Sequence, residues 1–350
     1  MKLLSLANFS RYGETNTALH RHRALCKIFS NQVDEFNTDF HFGFSNKVLN
    51  KVFMKGINFP FIGTTNLNKK LILQVEQNDY TIIWIDKGIA IKARTLKKIK
   101  AFNPNILIIG YSPDEMTQRH NQSADFLSSL PYYDAYITTK SYAINDLKKI
   151  GAKRVYFVNN AFEPNFHYPR HIVKYDIQAL GGDIGFIGTW EKDRADAILF
   201  LAEKGLNIRV WGAGKWLQYQ NKFKNLIIED KGLFSEEYSK ALSAFKINLC
   251  FLRKINFDQQ TTRSIEIPAC GGFMLAERTL EHLALFEEGK EAVFFSSNQE
   301  LYEQCLYYLN HEEERLKISQ AGYQKCVDAG YDNQKTIKRV LDEILNDVKL

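Results

Sequence analysis

Short apolar, β-rich runs alternate with longer stretches of helical period along the whole chain, which is the pattern of parallel α/β architecture. In the first half the runs are Leu3–Leu6, Ile82–Ile85, Ile106–Ile109, Tyr136-Ile137 and Val155–Val158. Residues 16–29, where Ala18, Leu25 and Phe29 share a face, and residues 92–102 predict helices between them. Pro164, Pro169 and Gly181-Gly182 then break the periodicity. The alternation restarts with Ile184–Ile187, Ile208–Trp211, Leu226–Ile228, Ile247–Leu252, Phe273–Ala276 and Ala292–Phe295. A terminal stretch with Ile337, Val340, Leu341, Ile344 and Leu345 on one stripe predicts a last amphipathic helix.

These patterns predict an N-terminal Rossmann-like domain at 1–165, a linker at 166–183, a C-terminal Rossmann-like domain at 184–330, and a helix at 331–350 packing back towards the first domain. Open parallel sheets bind ligands outside the carboxyl ends of their strands, so two such domains facing across an interdomain cleft place the site there. A length of 350 residues suits two cores. No run reaches 18 uninterrupted apolar residues, so no membrane span is expected. Five scattered cysteines, with no paired spacing, predict reduced thiols in a cytoplasmic compartment.

Charge divides unevenly. Residues 1–170 hold 23 lysines and arginines against 13 aspartates and glutamates, whereas residues 171–350 hold 23 against 27. The first half is therefore expected to attract something anionic, or to carry a solubilising basic surface. Its densest cluster is Lys92, Arg94, Lys97, Lys98 and Lys100, with no acid interleaved. That cluster predicts a peripheral contact with an anionic membrane surface. No aromatic-basic motif of a nucleic-acid-binding sheet is present.

Candidate chemistry concentrates in Asp258 to Glu277, which leaves a strand through a polar loop, enters a helix near Thr262 and stops at Gly271-Gly272. Thr261 or Thr262 suits an N-cap, and the free amides beside Arg263 suit a diphosphate. Glu266, one turn further on, suits ribose hydroxyls. A second candidate is Gly188-Thr189 after a strand, followed by Lys192 and Arg194 for phosphate charge. Gly212 and Gly214 after the next strand either border a nucleotide base or merely turn the chain. In the first half Gly13 and Asn16 lie in the loop Ser10–Asn16, on the side expected for an acceptor, with Asp114 after a later strand. Asp86, also after a strand, is a catalytic candidate, and His120 and His20 are the histidines placed for acid–base work.

The run Thr262 to Leu275, continued by Leu285-Phe286, Gly289, Glu291, Glu300-Leu301, Tyr307-Tyr308-Leu309, Arg315 and Ala321-Gly322-Tyr323, resembles CgeB-like, spore-maturation-type glycosyltransferases of the GT-B group, with a family 1/4-like C-terminal domain. The resemblance covers about residues 180–340, and more weakly 80–170 through Trp84-Ile85-Asp86-Lys87-Gly88, Tyr111-Ser112-Pro113-Asp114 and Tyr133-Asp134. It implies a nucleotide diphosphate sugar as donor substrate, no tightly bound cofactor, a retaining outcome and Arg194 at the diphosphate. It implies Glu266 as the second glutamate of a Glu-x7-Glu element holding the donor ribose, with Asp258 where the first glutamate stands in the family. The acceptor implied is a glycan, a lipid-linked sugar or a protein, in bacterial polysaccharide or glycoprotein biosynthesis at the inner face of the membrane. No Asp-x-Asp pair of the metal-holding kind is present, so no metal is expected. A nucleotide-sugar epimerase or hydrolase of the same fold, and a non-enzymatic binder of anionic polymers, are the competing readings.

Overall fold

The computed structural model describes residues 1–10 and 13–348. It divides into two compact units, Met1–Asn159 with the returning helix Asn333–Val348, and Asn160–Asp332. The first carries β1 (Leu3–Ala7), β2 (Val33–Asn37), β3 (Ile82–Asp86), β4 (Leu107–Ser112), β5 (Ala135–Thr138) and β6 (Val155–Phe157). The second carries β7 (Gly182–Ile187), β8 (Ile208–Trp211), β9 (Leu226–Glu229), β10 (Phe245–Cys250), β11 (Met274–Glu277) and β12 (Val293–Phe295).

Every strand pairing is parallel, with orders β2-β1-β3-β4-β5-β6 and β12-β11-β10-β7-β8-β9. Parallel strands need crossovers that cover both faces, which is why the strands read as unbroken apolar runs. β1 is buried along its whole length. Leu4 and Leu6 enter one core of the first unit, with Ile83, Ile85 and Ile108. Leu3 faces the other, with Trp84, Leu107 and Ile137. That second core is closed by Ile337, Val340, Leu341 and Ile344 of helix Asn333–Val348, none more than 3% exposed. Each such buried aliphatic contributes about 1.5–3 kcal/mol.

The strand orders locate the sites. In the second unit the chain reverses direction between β7 and β10, and in the first between β1 and β3. Ligands of open α/β sheets bind at such switch points, beside the carboxyl ends of the two central strands.

Two expectations need correction. Residues 166–183 do not form a linker: they belong to the second unit and supply helix Lys174–Ala179 and the start of β7. Phe166, His167 and Leu180 are buried there, and the Trp211 indole donates to the Leu180 carbonyl at 2.9 Å. Prolines and glycines break periodicity without breaking packing. Nor are the cations of helix Ala93–Phe102 all free, because acids arrive from neighbouring elements. Lys100 pairs with Asp134 at 2.6 Å, Lys92 with Asp125 at 3.7 Å and Lys98 with Glu76 at 3.9 Å.

Candidate functional site

The loops after β7 and β10 build the principal site. β7 runs into Gly188, whose amide donates to the Trp211 carbonyl at 2.9 Å and whose carbonyl accepts from the Trp216 indole at 3.0 Å. Gly212 is required by this approach, since a Cβ there would lie 2.3 Å from the Gly188 oxygen and 2.8 Å from the Trp216 ring. Gly212→Ala is expected to cost about 1–3 kcal/mol by overpacking. Gly214→Ala meets only a positive φ of 78° and open space, and should cost about 1 kcal/mol. Denaturant unfolding of the two variants checks the difference; equal midpoints would show that the Gly188 turn yields freely.

Helix Lys192–Glu203 follows, and Arg194 in its first turn is 2% exposed. Its Nη1 donates to the Thr189 carbonyl at 3.1 Å and lies 3.4 Å from the Thr189 hydroxyl. Among the described residues its Nε and Nη2 are buried without a partner, as is Nε of Arg263. Arg263 opens helix Arg263–Ala269 after β10. Both guanidinium groups lie over the Phe186 ring, 5.7 and 5.8 Å from its centre. Burial, with Arg263 and then Arg253 adding positive potential against the opposing pull of Glu191, brings the Arg194 pKa down to about 10. Glu191 is itself held by Arg253 at 2.7 Å. A buried cation, Arg194, and a half-buried one, Arg263, thus stand beside the same ring, and among the described residues no carboxylate is bonded to either. Desolvated charge without a partner is costly, so the arrangement is built for an anion that arrives from outside.

The start of helix Arg263–Ala269 is fixed differently from the expectation. Thr262 has helical backbone angles and makes no side-chain cap bond. Ser264 does the work instead: its hydroxyl accepts from the Thr261 amide at 3.0 Å and meets His282 Nε2 at 2.7 Å. His282 Nδ1 lies 2.6 Å from the Glu277 carbonyl, which makes Nδ1 the donor and Nε2 the acceptor from Ser264. Ser264 and His282 are both fully buried, so this pair clamps the loop rather than attacking substrate. Glu266 is 5% exposed and accepts from the Tyr238 hydroxyl at 2.5 Å. His167 Nε2 stands 3.7 Å from the other Glu266 oxygen. Burial, then Arg170, pushes the His167 pKa down to about 3, so the imidazole is neutral. Its Nδ1 accepts from the Glu163 amide, which leaves the Nε2 proton towards Glu266. Asp258 follows Phe257, which holds a left-handed φ of 52°, and borders a cleft of about 600 Å³ with Lys254, Glu277 and Arg278.

At the switch point of the first unit, Gly13 has φ 49° and Asn16 caps helix Thr17–Ile28 by accepting from the Ala18 amide at 3.0 Å. Arg11 and Tyr12 of the same loop lie outside the described residues. Asp86 is gripped by Arg21 through two bonds of 2.6 and 3.1 Å, with both side chains buried. Asp114 accepts from Lys87 at 2.6 Å. His120 lies exposed on a surface turn, its Nε2 3.2 Å from Asn121 Nδ2. His20 is buried, its Nε2 2.5 Å from the Glu14 carbonyl.

Gly188, Thr189, Arg194, Gly212 and Arg263 are therefore brought together as the sequence suggests. Tyr238, His167 and the Ser264–His282 clamp are additions. They come from segments whose polar residues carry no spacing signal.

This is the GT-B fold, with two parallel six-stranded Rossmann-like sheets. Residues 194–342 match a family model described as glycosyl transferase-like. No curated protein sequence matches the chain. Among solved structures, HepE of Anabaena, in complex with UDP-glucose, shares 13% identity at a TM-score of 0.64, covering 98% of this chain and 100% of that one. Sucrose-phosphate synthase of Thermosynechococcus elongatus shares 12% at 0.65, covering 99% and 100%. The N-terminal domain of Candida albicans trehalose-6-phosphate phosphatase shares 12% at 0.65, covering 98% and 96%.

Proposed function

We propose that this protein is a glycosyltransferase that takes its sugar from a nucleotide diphosphate donor bound by the second unit. The observation that carries the reading is the arginine couple at the β7/β10 switch point, Arg194 buried and Arg263 half-buried, which leaves Arg194 Nε and Nη2 and Arg263 Nε buried without a hydrogen-bond partner among the described residues. Glycosyl transfer develops positive charge on the sugar ring while a diphosphate departs with growing negative charge. Preorganised cations in a dry site stabilise that departure without reorganising. Arg194 and Arg263 supply them, fixed by Thr189 and by the Phe186 face. Glu266, oriented by Tyr238, is assigned the ribose hydroxyls, and Asp258, where the first glutamate stands in the resembled family, is assigned to the donor sugar. The acceptor hydroxyl is assigned to the first unit, at the loops that carry Gly13, Asn16 and Asp114. A UDP-sugar donor is favoured by the fold shared with the HepE complex, and the CgeB-like signature adds a retaining outcome and a cell-surface glycan as acceptor.

Calorimetry with nucleoside diphosphates, on wild type and Glu266→Ala, tests the reading. A ribose-holding carboxylate contributes about 1.5–3 kcal/mol, so the variant is expected to bind about 10- to 150-fold more weakly. No binding of any nucleoside diphosphate by wild type would overturn the proposal. A product consisting only of epimerised or hydrolysed donor, whatever acceptor is supplied, would replace transfer with the corresponding reaction.

A further inference from the structure

The segment between Asp39 and Glu76 contains no aspartate or glutamate and five lysines, Lys47, Lys51, Lys55, Lys69 and Lys70. Within it lies helix Phe44–Met54. Residues three, four and seven apart share a helix face. Phe44, Lys47, Val48, Lys51, Met54 and Lys55 therefore stand together on one face, and all six are exposed. Phe44 is 82% exposed, and the loop that follows adds Ile57, Phe59 and Ile62, each 50% exposed or more. An ordinary surface scatters such residues singly.

This display is held in place from behind. Asn46 and Ile62 exchange two hydrogen bonds of 2.9 Å, tying the helix to the end of the loop. The Phe61 amide donates to Asp125 at 3.1 Å, and its ring packs against Phe40 and Phe42. Arg119 donates to the Phe53 carbonyl at 2.7 Å and to Asn58 at 2.9 Å, its guanidinium 3.9 Å from the Phe53 ring centre. The apolar side chains at Phe44, Ile57, Phe59 and Ile62 are thus presented outward by an anchored scaffold.

We propose that this face docks on an anionic phospholipid bilayer, with the lysines at the headgroups and Phe44, Ile57, Phe59 and Ile62 in the acyl boundary. A helix with lysines beside large apolar residues matches that interface, and charge complementarity selects an anionic leaflet over a neutral one. No helix of the described residues is long and apolar enough to cross a membrane, so the contact is peripheral. It goes beyond the donor chemistry and is independent of it. The basic helix Ala93–Phe102, whose lysines are partly engaged by Asp134, Asp125 and Glu76, is the weaker candidate.

Co-sedimentation of the full chain with vesicles of phosphatidylglycerol and phosphatidylcholine, or of phosphatidylcholine alone, tests this. Wild type should bind the anionic vesicles at low salt and release as salt rises. Each lysine near such a surface is worth about fivefold, so Lys47→Glu with Lys51→Glu and Lys55→Glu should lose on the order of 100-fold in partitioning. Phe44→Asp with Ile62→Asp should lose binding too, while Lys97→Glu should change little. Unchanged circular dichroism in each variant shows the loss to be one of contact. Equal sedimentation of the Lys47/Lys51/Lys55 variant and wild type, or equal wild-type binding to both vesicles, overturns the proposal. A dimer that Phe44→Asp dissociates, with no vesicle binding, overturns it in favour of a second copy.

Discussion

Arg194→Met is expected to raise the melting temperature of the nucleotide-free protein while lowering turnover by at least about tenfold. The two effects share one cause. Buried beside Arg263, the Arg194 guanidinium has its pKa lowered from the ordinary arginine value to about 10. A unit of pKa is about 1.4 kcal/mol, so holding the cation there costs up to about 3 kcal/mol. Removing it forfeits the Thr189 bond and some packing of the stem, leaving a net gain of about 1–2 kcal/mol, or roughly 2–8 °C in a unit of this size. The charge is kept for the ligand: a charge-assisted bond to a departing diphosphate contributes about 1.5–3 kcal/mol, a factor of 10 to 150 in rate. Arg263→Ala should lose a similar factor, and the double variant less than the product, because both groups meet one anion. Arg194→Lys should restore only part, since an ammonium lacks the planar fork. Thermal melts with and without nucleotide, beside donor turnover, give the reading. Near wild-type kinetics in both single variants would refute the assignment.

What was legible in the sequence is what period and punctuation encode. Ten of the strands sit where continuous apolar runs stand, because a strand covered on both faces must be apolar throughout. The eleventh, β5, is covered only at Tyr136-Ile137, and β2 escapes. Val33-Asp34-Glu35-Phe36-Asn37 is an edge strand with two acids, whose pairing with β1 outweighs its local polarity. The helices Phe44–Met54 and Thr65–Glu76 were equally hidden. The first carries apolar residues on both faces, Leu49, Val52 and Phe53 inward and Phe44, Val48 and Met54 exposed, so no single stripe stands out in its period. At the site, the arginines were readable because glycine turns and helix starts mark the ends of strands. Their lack of partners was not, since it depends on where Glu191 and Glu266 turn, and those carboxylates are taken by Arg253 and Tyr238. Asp86 shows the reverse case. Its place after β3 is that of a catalytic group, but its partner lies 65 positions away on helix Thr17–Ile28, beyond the reach of any local pattern.

That partnership makes Asp86→Ala the largest single loss of stability expected in the first unit. Arg21 and Asp86 are both buried, joined by two bonds, with the guanidinium 4.4 Å from the Tyr111 ring centre and that ring stacked on Trp84. Burial alone would depress the Arg21 pKa, yet Asp86, followed by Tyr111, holds it above its ordinary value. Removing the carboxylate leaves the cation desolvated with nothing of opposite charge bonded to it, a change that costs about 3–5 kcal/mol. In a unit of this size that is a fall of roughly 6–20 °C in melting temperature. Arg21→Met combined with Asp86→Ala should recover most of the fall, because a buried pair exchanged for apolar groups is often nearly neutral. Differential scanning calorimetry of the single and double variants measures the coupling. Donor turnover, taken well below the melting temperature, separates the two roles open to Asp86. A double variant that is stable and retains turnover makes Asp86 the counter-ion of Arg21, whereas one that is stable and inactive returns it to the chemistry.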